Sequence, residues 1–322
     1  MHRLSLTIAV TALALALSPS SAIAQATRTW VSGVGDDTFP CSRTAPCKTF
    51  AGAILKTAAG GEINVLDPGS YGAVTITKSL TIDASGNFAG TLATLGINGI
   101  IINAAATDVV HLRGLTIDGA GSGANGIRFL AGAALHVEDC VIRGFQAATA
   151  GNGHGITFVP SGASELFVSD TVISANGTGS NGGGILIKPS GSGSAKVNLE
   201  EVRMHNNVFG FKADGSVATG AAGIAAVIRD SSSSGNGFGG ITALGGTQSV
   251  NVFVDHCAVN SNGTTGLATS GLGAILRYTN TTVTGNATGL QFAAPAQLIS
   301  FESNNVAGNT SDGAPSSSVI QN

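Results

Sequence analysis

Residues 166–176 read LFVSDTVISAN, and similar stretches follow at 197–207 (VNLEEVRMHNN), 252–262 (VFVDHCAVNSN) and 276–286 (LRYTNTTVTGN). Each stretch ends in an asparagine, with an apolar or aromatic residue ten, eight and three positions before it. Six asparagines share this register, with a spacing that falls from 31 to 23 residues: Asn176, Asn207, Asn236, Asn262, Asn286 and Asn309. A repeat of that length is typical of a solenoid, whose units bury their apolar faces only by stacking.

The residues on both sides of each asparagine predict short strands. Positions ten and eight before it alternate with mostly polar neighbours, which is the period-two pattern of a strand with one buried face. After it comes a glycine and a second alternating run, as in Gly155-Ile156-Thr157-Phe158. No segment after residue 60 shows a sustained helical period. The chain is therefore predicted to be all-β, with a single-stranded parallel β-helix over residues 83–309.

A structural role explains the six repeated asparagines. A bend between two strands needs a residue that tolerates left-handed backbone angles, and asparagine does so best after glycine. Amides stacked at the same bend of successive coils can hydrogen bond along the axis as a ladder. We therefore expect these residues to form a structural ladder and to have no catalytic role.

The first 24 residues have the features of a signal peptide. Arg3 precedes an apolar run from Leu4 to Leu17, and Ala22-Ile23-Ala24 has the form of a cleavage site. The mature protein is expected to begin near Gln25 and to be secreted or periplasmic, in a bacterium.

Export has a consequence for the four cysteines. In an oxidising compartment Cys41 and Cys47, six residues apart, are expected to form a disulfide. Cys140 and Cys257 stand several coils apart, so we expect them to be small core residues.

The composition excludes two classes of partner. The net charge is −3, only 10% of residues are charged, and no basic stripe is present, so nucleic acid is not expected as a partner. No stretch after the leader is apolar enough to span a membrane. Residues 310–322 are rich in serine and glycine and are predicted to be a disordered tail.

Residues 25–82 do not follow the repeat and are predicted to form an N-terminal cap and the first coil. Between Lys48 and Ala59 the apolar residues Phe50, Ile54 and Leu55 share one helical face, so a short capping helix is expected over the open end of the coil. The motifs VSGVGDD, PCSRTAPCKTFAGAI, AAGGEINVLDPGSYG and VTITKSLTIDA occur in this order. They resemble the N-terminal region of secreted right-handed β-helix proteins of the pectin-lyase-like superfamily. With the repeats, this resemblance covers most of the mature chain and implies a right-handed helix, but its motifs are specific for fold and not for activity.

The resemblance also implies a chemistry to look for, because enzymes of that superfamily act on acidic polysaccharides. Lyases of this kind gather carboxylates around Ca²⁺, with an arginine or lysine as the base. Carboxylates recur six residues before the asparagines, at Asp170, Glu201 and Asp230, and one residue earlier stand Glu200 and Arg229. With coils about 4.8 Å apart, the four carboxylates could supply several of the roughly six to eight oxygens of a Ca²⁺ site. The simpler interpretation is a row of polar turn residues that holds no cofactor.

His154 is a further catalytic candidate. Gly153-His154-Gly155 matches the Gly-His-Gly segment of the superfamily's hydrolases, although the other hydrolase segments are missing. The same slot one coil later reads Gly182-Gly183-Gly184, so the bend of the coil is enough to explain the glycines.

A second row, seven and nine residues before the asparagine positions, mixes polar and aromatic side chains and could hold an extended glycan. It contains His111, Arg113, His136, Glu138, Phe167, Asn198, Phe253, Arg277 and Glu302. Two main interpretations stay open. One is an exported bacterial β-helix without catalytic activity that binds a polysaccharide or cell-surface glycan along its side. The other is a polysaccharide lyase or glycoside hydrolase, and an adhesin passenger is a third.

Overall fold

The computed structural model describes residues 25–320, so the predicted signal peptide, residues 1–24, lies outside the described residues. From residue 69 onward the chain passes through three parallel sheets in turn, and the same strand of each coil pairs with that of the next. One of the three sheets has nine strands, one for each turn, so the solenoid makes about nine turns. This all-β parallel helix is the architecture that the repeats predict.

The strands are numbered in chain order and grouped by sheet. Sheet A contains β1 (Ala26–Val31), β2 (Thr57–Val65), β5 (Leu80–Asp83), β8 (Val109–Arg113), β11 (Ala134–Glu138), β14 (Ala163–Ser169), β17 (Ser194–Glu200), β20 (Ile224–Arg229), β23 (Val250–Asp255), β26 (Ala274–Thr279), β29 (Gln297–Phe301) and β31 (Ser317–Val319). Sheet B contains β3 (Gly69–Ser70), β6 (Ala89–Leu92), β9 (Leu115–Asp118), β12 (Val141–Arg143), β15 (Val172–Ser174), β18 (Arg203–His205), β21 (Ser232–Ser234), β24 (Ala258–Asn260), β27 (Thr282–Thr284) and β30 (Asn305–Val306). Sheet C contains β4 (Val74–Ile76), β7 (Ile100–Asn103), β10 (Asn125–Ala131), β13 (His154–Phe158), β16 (Gly183–Ile187), β19 (Phe211–Asp214), β22 (Ile241–Leu244), β25 (Thr265–Ser270) and β28 (Thr288–Phe292).

The core is a column of apolar side chains inside the coil. Leu135 of β11 lies opposite Leu166 of β14, and Val137 lies opposite Val168 in the same pair of strands. All four side chains are buried. Burying a leucine or valine stabilises the fold by about 1.5–3 kcal/mol, and a slip of one residue would turn these side chains to the solvent. The apolar alternation therefore sets the register of sheet A.

The six asparagines form the predicted ladder. The side-chain amide of each of the first five donates a hydrogen bond to the Oδ1 of the next asparagine, at donor–acceptor distances of 2.8 to 3.3 Å. That Oδ1 also accepts the backbone N–H of the preceding asparagine. Phe145 takes the position one coil before Asn176 and donates its backbone N–H to that amide. At the other end, the amide of Asn309 donates to the Asp312 carboxylate.

The bend itself differs from the expectation. The residue with a left-handed backbone is the one before each ladder asparagine, with φ between 55° and 75°: Ala175, Asn206, Gly235, Ser261, Gly285 and Gly308. Assigning the left-handed angle to the ladder asparagines was wrong. The asparagine turns its amide inward to bond along the axis, so the preceding residue makes the turn.

The N-terminal segment contains the predicted disulfide, between Cys41 and Cys47, while Cys140 and Cys257 are buried free thiols, as expected. It also contains the helix α1 (Phe50–Ile54), which is shorter than the helical segment expected between Lys48 and Ala59. From Thr57 the chain continues as β2 and pairs with β1 and β5, so backbone pairing replaces the helix. Among residues 25–320, no helix is long and apolar enough to cross a membrane.

The tail departs from the prediction of disorder for residues 310–322. Ser317–Val319 forms β31, which pairs in parallel with Ile299–Phe301 of β29. Backbone pairing explains the order, because β29 would otherwise leave a row of unpaired N–H and C=O groups at the edge of sheet A.

Candidate functional site

The acidic row occupies the turns that connect sheet A to sheet B. Asp170, Glu201 and Asp230 all have left-handed backbones, with φ between 49° and 55°, and their side chains are exposed. Backbone hydrogen bonds hold the turns of adjacent coils one above another, as from the Asp170 N–H to the Glu200 carbonyl at 3.2 Å. The same turn carries His256 and Asn280 in later coils, also with positive φ. Aspartate and asparagine tolerate this conformation better than most residues. The backbone of the turn is therefore enough to explain why such residues recur there.

Two carboxyl groups of this row meet. A side-chain hydrogen bond with Asp170 raises the pKa of Glu201, and the negative charges of Asp170, Glu200 and Asp230 raise it further. Glu201 therefore holds its proton more tightly than a lone surface carboxyl does. Arg229 lies in register with Glu200 and Asp255, one residue before the turn. The structure thus stacks the predicted residues in two adjacent rows.

A polar groove of about 630 Å³ lies beside this row, along sheet B. Glu201 and Asp230 line it, together with residues that were not predicted as site residues, Arg203, His256 and Asn280. His256 pairs with the Asp255 carboxylate at 2.7 Å. The groove offers the carboxyl groups of Glu201 and Asp230, one guanidinium and one imidazole on an open surface.

His154 lies inside the coil, away from that groove. It is 4% exposed, its Nδ1 lies 3.3 Å from the Oδ1 of Asn125, and its ring packs against Phe209. Burial lowers the pKa of His154 to about 4, with a further contribution from the charge of Lys212. A buried neutral imidazole has no path to an external substrate, and this placement fits a packing role.

The outer face of sheet A carries a second groove, of about 390 Å³. Phe167 and Phe253 both line it, with Asn198 and Val227 in register between them on the intervening strands. Arg277 continues the row and lies 3.4 Å from the Asn251 side chain. This groove unites four of the nine residues of the predicted outward row, Phe167, Asn198, Phe253 and Arg277.

The N-terminal part of the same row is a stack of rings. His111 and His136 lie face to face with centroids 4.4 Å apart, and Phe167 stacks on His136 at 4.6 Å. Burial lowers the pKa of both imidazoles. Beside them, the Nε of Arg113 donates to the Oε2 of Glu138 at 2.8 Å. The sequence register placed both histidines in one row, but the closeness of their rings to Glu138 was not predicted.

The overall coil is similar to known β-helix structures. A crystal structure of pectate lyase Pel9A matches 94% of this chain and 78% of its own, at 14% identity and a TM-score of 0.53. A rhamnogalacturonan lyase matches 86% of this chain and 74% of its own (14% identity, TM-score 0.46), and the Dettilon tailspike protein matches 91% and 68% (13% identity, TM-score 0.45). No protein-family model and no curated protein sequence matches the chain. At these identities the likeness concerns the fold alone: the chain is a right-handed-type parallel β-helix similar in fold to that pectate lyase.

Proposed function

We propose that this protein binds an extended polysaccharide along the outer face of sheet A, in the groove between Phe167 and Phe253. The observation that carries the proposal is that groove, in which two phenyl rings, side-chain amides and a guanidinium line one open channel. Binding without cleavage is the primary proposal.

The dimensions of the groove suit a chain ligand. Phe167 and Phe253 lie three strand steps apart, which is roughly 14 Å at about 4.8 Å per step. Arg277 lies one strand beyond Phe253 and also lines the groove, so a polymer bound there would extend past that ring. The rings offer rigid apolar surfaces to the C–H faces of sugars, at a small cost in side-chain entropy.

The polar groups define the preferred glycan. Lys196 is engaged by Glu165 at 3.2 Å, which leaves Arg277 as the cation placed to pair with a sugar carboxylate. Asn198 and Asn251 can each donate to and accept from hydroxyl groups. An acidic polysaccharide such as pectate, the substrate in the name of the similar lyase, is therefore the first glycan to test.

The test compares Phe253, which is half-buried in the groove, with the exposed Phe292. Binding of polygalacturonate and of a neutral glucan is measured by affinity electrophoresis for the wild type, Phe253→Ala and Phe292→Ala. Phe292 is 40% exposed on sheet C, away from the groove, and serves as the matched control. Phe253→Ala should weaken polygalacturonate binding about tenfold, and Phe292→Ala should not change it. Absence of binding to both glycans, or an equal effect of the two variants, contradicts the proposal.

A second candidate is cleavage of an acidic polysaccharide at the groove beside the acidic row. The raised pKa of Glu201 favours it, because a general acid must keep its proton near the working pH. A lyase would form a 4,5-unsaturated product that absorbs in the ultraviolet, and Glu201→Gln would abolish it. If neither absorbance nor new reducing ends appear with acidic glycans, with or without Ca²⁺, this candidate fails.

We also infer export, to the periplasm or beyond, with residues 1–24 as the signal peptide. The Cys41–Cys47 disulfide supports an oxidising compartment. We further infer that α1 caps the N-terminal end of the coil, because its buried residues Phe50, Ala53 and Ile54 pack toward the first strands. Cell fractionation with mass spectrometry of the N-terminus tests the first inference, and a mature chain that keeps Met1 overturns it.

A further inference from the structure

We propose that His111, His136 and Glu138 form a binding site for a divalent transition metal, with Zn²⁺ as the preferred ion. The site lies on the outer face of sheet A, on β8 and β11, one coil before the aromatic end of the glycan groove. This inference does not rest on the proposed glycan binding.

The geometry brings one donor atom from each residue together. Donor atoms of the two imidazoles and of the Glu138 carboxylate all lie within 4.8 Å of one another. Zinc bonds nitrogen at about 2.0–2.1 Å, so ligand atoms around it lie roughly 3.3 Å apart. Closing that gap needs shifts of about 1 Å, which rotations of half-buried side chains supply.

The imidazoles are available for coordination. Among residues 25–320, no protein group hydrogen bonds to either ring of the stacked pair, and the Nδ1 of His111 is screened from solvent without a partner. A buried, unpaired ring nitrogen is costly, and a metal ion would satisfy such a lone pair. Two histidines and one carboxylate also match the donor set that zinc and other first-row metals prefer.

The carboxylate is already held in place. Arg113 binds Oε2 of Glu138 at 2.8 Å, and within the described chain no partner engages Oε1. One oxygen can therefore face the metal while the guanidinium fixes the orientation of the other, as partners behind metal ligands commonly do. Phe167 covers the far side of the His136 ring. Three protein ligands leave a further coordination position open.

The experiment titrates the full chain, purified without a polyhistidine tag, with ZnCl₂ in an isothermal calorimeter. The wild type should bind one Zn²⁺ per chain. His111→Asn, His136→Asn and Glu138→Gln should each weaken binding by at least about tenfold. His205→Asn, which removes a histidine on sheet B, should bind as the wild type does. Equal affinity for the wild type and the His111→Asn, His136→Asn double variant overturns the proposal.

A second measurement needs no variant and so does not depend on variant folding. Diethyl pyrocarbonate modifies accessible histidines, and peptide mapping identifies which rings have reacted. Zn²⁺ should protect His111 and His136 and leave the modification of His205 unchanged. Equal modification of the stacked pair with and without Zn²⁺ overturns the assignment.

Discussion

Replacing Asn262 with alanine removes the middle of the ladder and should destabilise the protein by about 3 kcal/mol. The amide of Asn262 is 2% exposed and makes four hydrogen bonds. Its Oδ1 accepts the Asn236 N–H at 3.1 Å and the Asn236 amide at 2.8 Å. Its Nδ2 donates to the Ser233 carbonyl at 3.1 Å and to the Asn286 Oδ1 at 2.9 Å.

The magnitude follows from the groups that lose a partner. The buried backbone N–H of Asn236 is left without an acceptor, which costs about 1–3 kcal/mol. The Ser233 carbonyl loses a donor, at about 1 kcal/mol. The Asn236 amide keeps the Met204 carbonyl and the Ser233 hydroxyl as acceptors and adds little. Asn309→Ala should cost only about 1 kcal/mol, because that end of the ladder is partly exposed and water can replace the amide.

The assay combines chemical unfolding with local hydrogen exchange. Asn260→Ala is the matched control, because Asn260 lies on the outer side of β24 beside the inward Val259, and it should stay within about 0.5 kcal/mol of the wild type. In Asn262→Ala the backbone N–H of Asn236 should exchange its hydrogen roughly a hundredfold faster than in the wild type. If Asn262→Ala destabilises the protein no more than Asn260→Ala does, and the backbone N–H of Asn236 stays protected from exchange, the ladder does not hold the coils together.

Three further changes test other parts of the fold. Leu166→Ala empties a fully buried site and should lower the free energy of unfolding in urea by about 2–5 kcal/mol, and a loss under 1 kcal/mol would contradict the core assignment. Replacing Cys41 and Cys47 together by alanine should cost about 2 kcal/mol, which a reduced wild type should reproduce in the same assay. Hydrogen bonds from the Gly33 N–H and the Ser32 hydroxyl lower the pKa of Asp67, so its stabilising effect is present above the unfolded value near 3.8 and is lost as pH falls through the lower folded value. Thermal unfolding of Asp67→Asn across that range should show a weaker acid dependence than the wild type, and an unchanged dependence would sink this assignment.

The fold could be read from the sequence because two periodic signals agree. Apolar residues such as Leu166 and Val168 repeat at one offset from the asparagine in successive coils, so stacking places like above like. The amides then mark the bend after sheet B in six successive coils. In a solenoid these local signals fix the global arrangement, since each coil contacts only its neighbours.

The parts of the fold that could not be predicted from the sequence depend on backbone conformation and pairing, which leave no pattern in the side chains. The exposed strand β31 has no apolar alternation, and only the free edge of β29 explains its order. The short helix α1 ends where β2 begins to pair, a choice that helical propensity does not reveal. The left-handed residue in each bend is variable in type, from Ala175 to Gly285, so it gives no repeat signal of its own.

The candidate sites were predicted only as rows. Register placed Asp170 and Glu201 on adjacent turns, but which side chains touch depends on rotamers that spacing does not encode. The zinc cluster shows the same limit, because His111 and His136 follow from register while the approach of Glu138 does not. Residues two apart on a strand face the same side of the sheet, as His136 and Glu138 do on β11. That alternation could have suggested Glu138 as the third ligand.

The column of asparagine amides has a direction, because every Oδ1 receives its hydrogen bonds from the coil before it. Interior coils are therefore interchangeable in this respect, and only the two ends need other residues, Phe145 at the start and Asp312 at the finish. If an interior coil were duplicated or deleted, every side-chain amide of the ladder would still have a hydrogen-bond donor on one side and an acceptor on the other. The length of such a protein can thus change in whole-coil steps during evolution, while the terminal residues stay where they are needed.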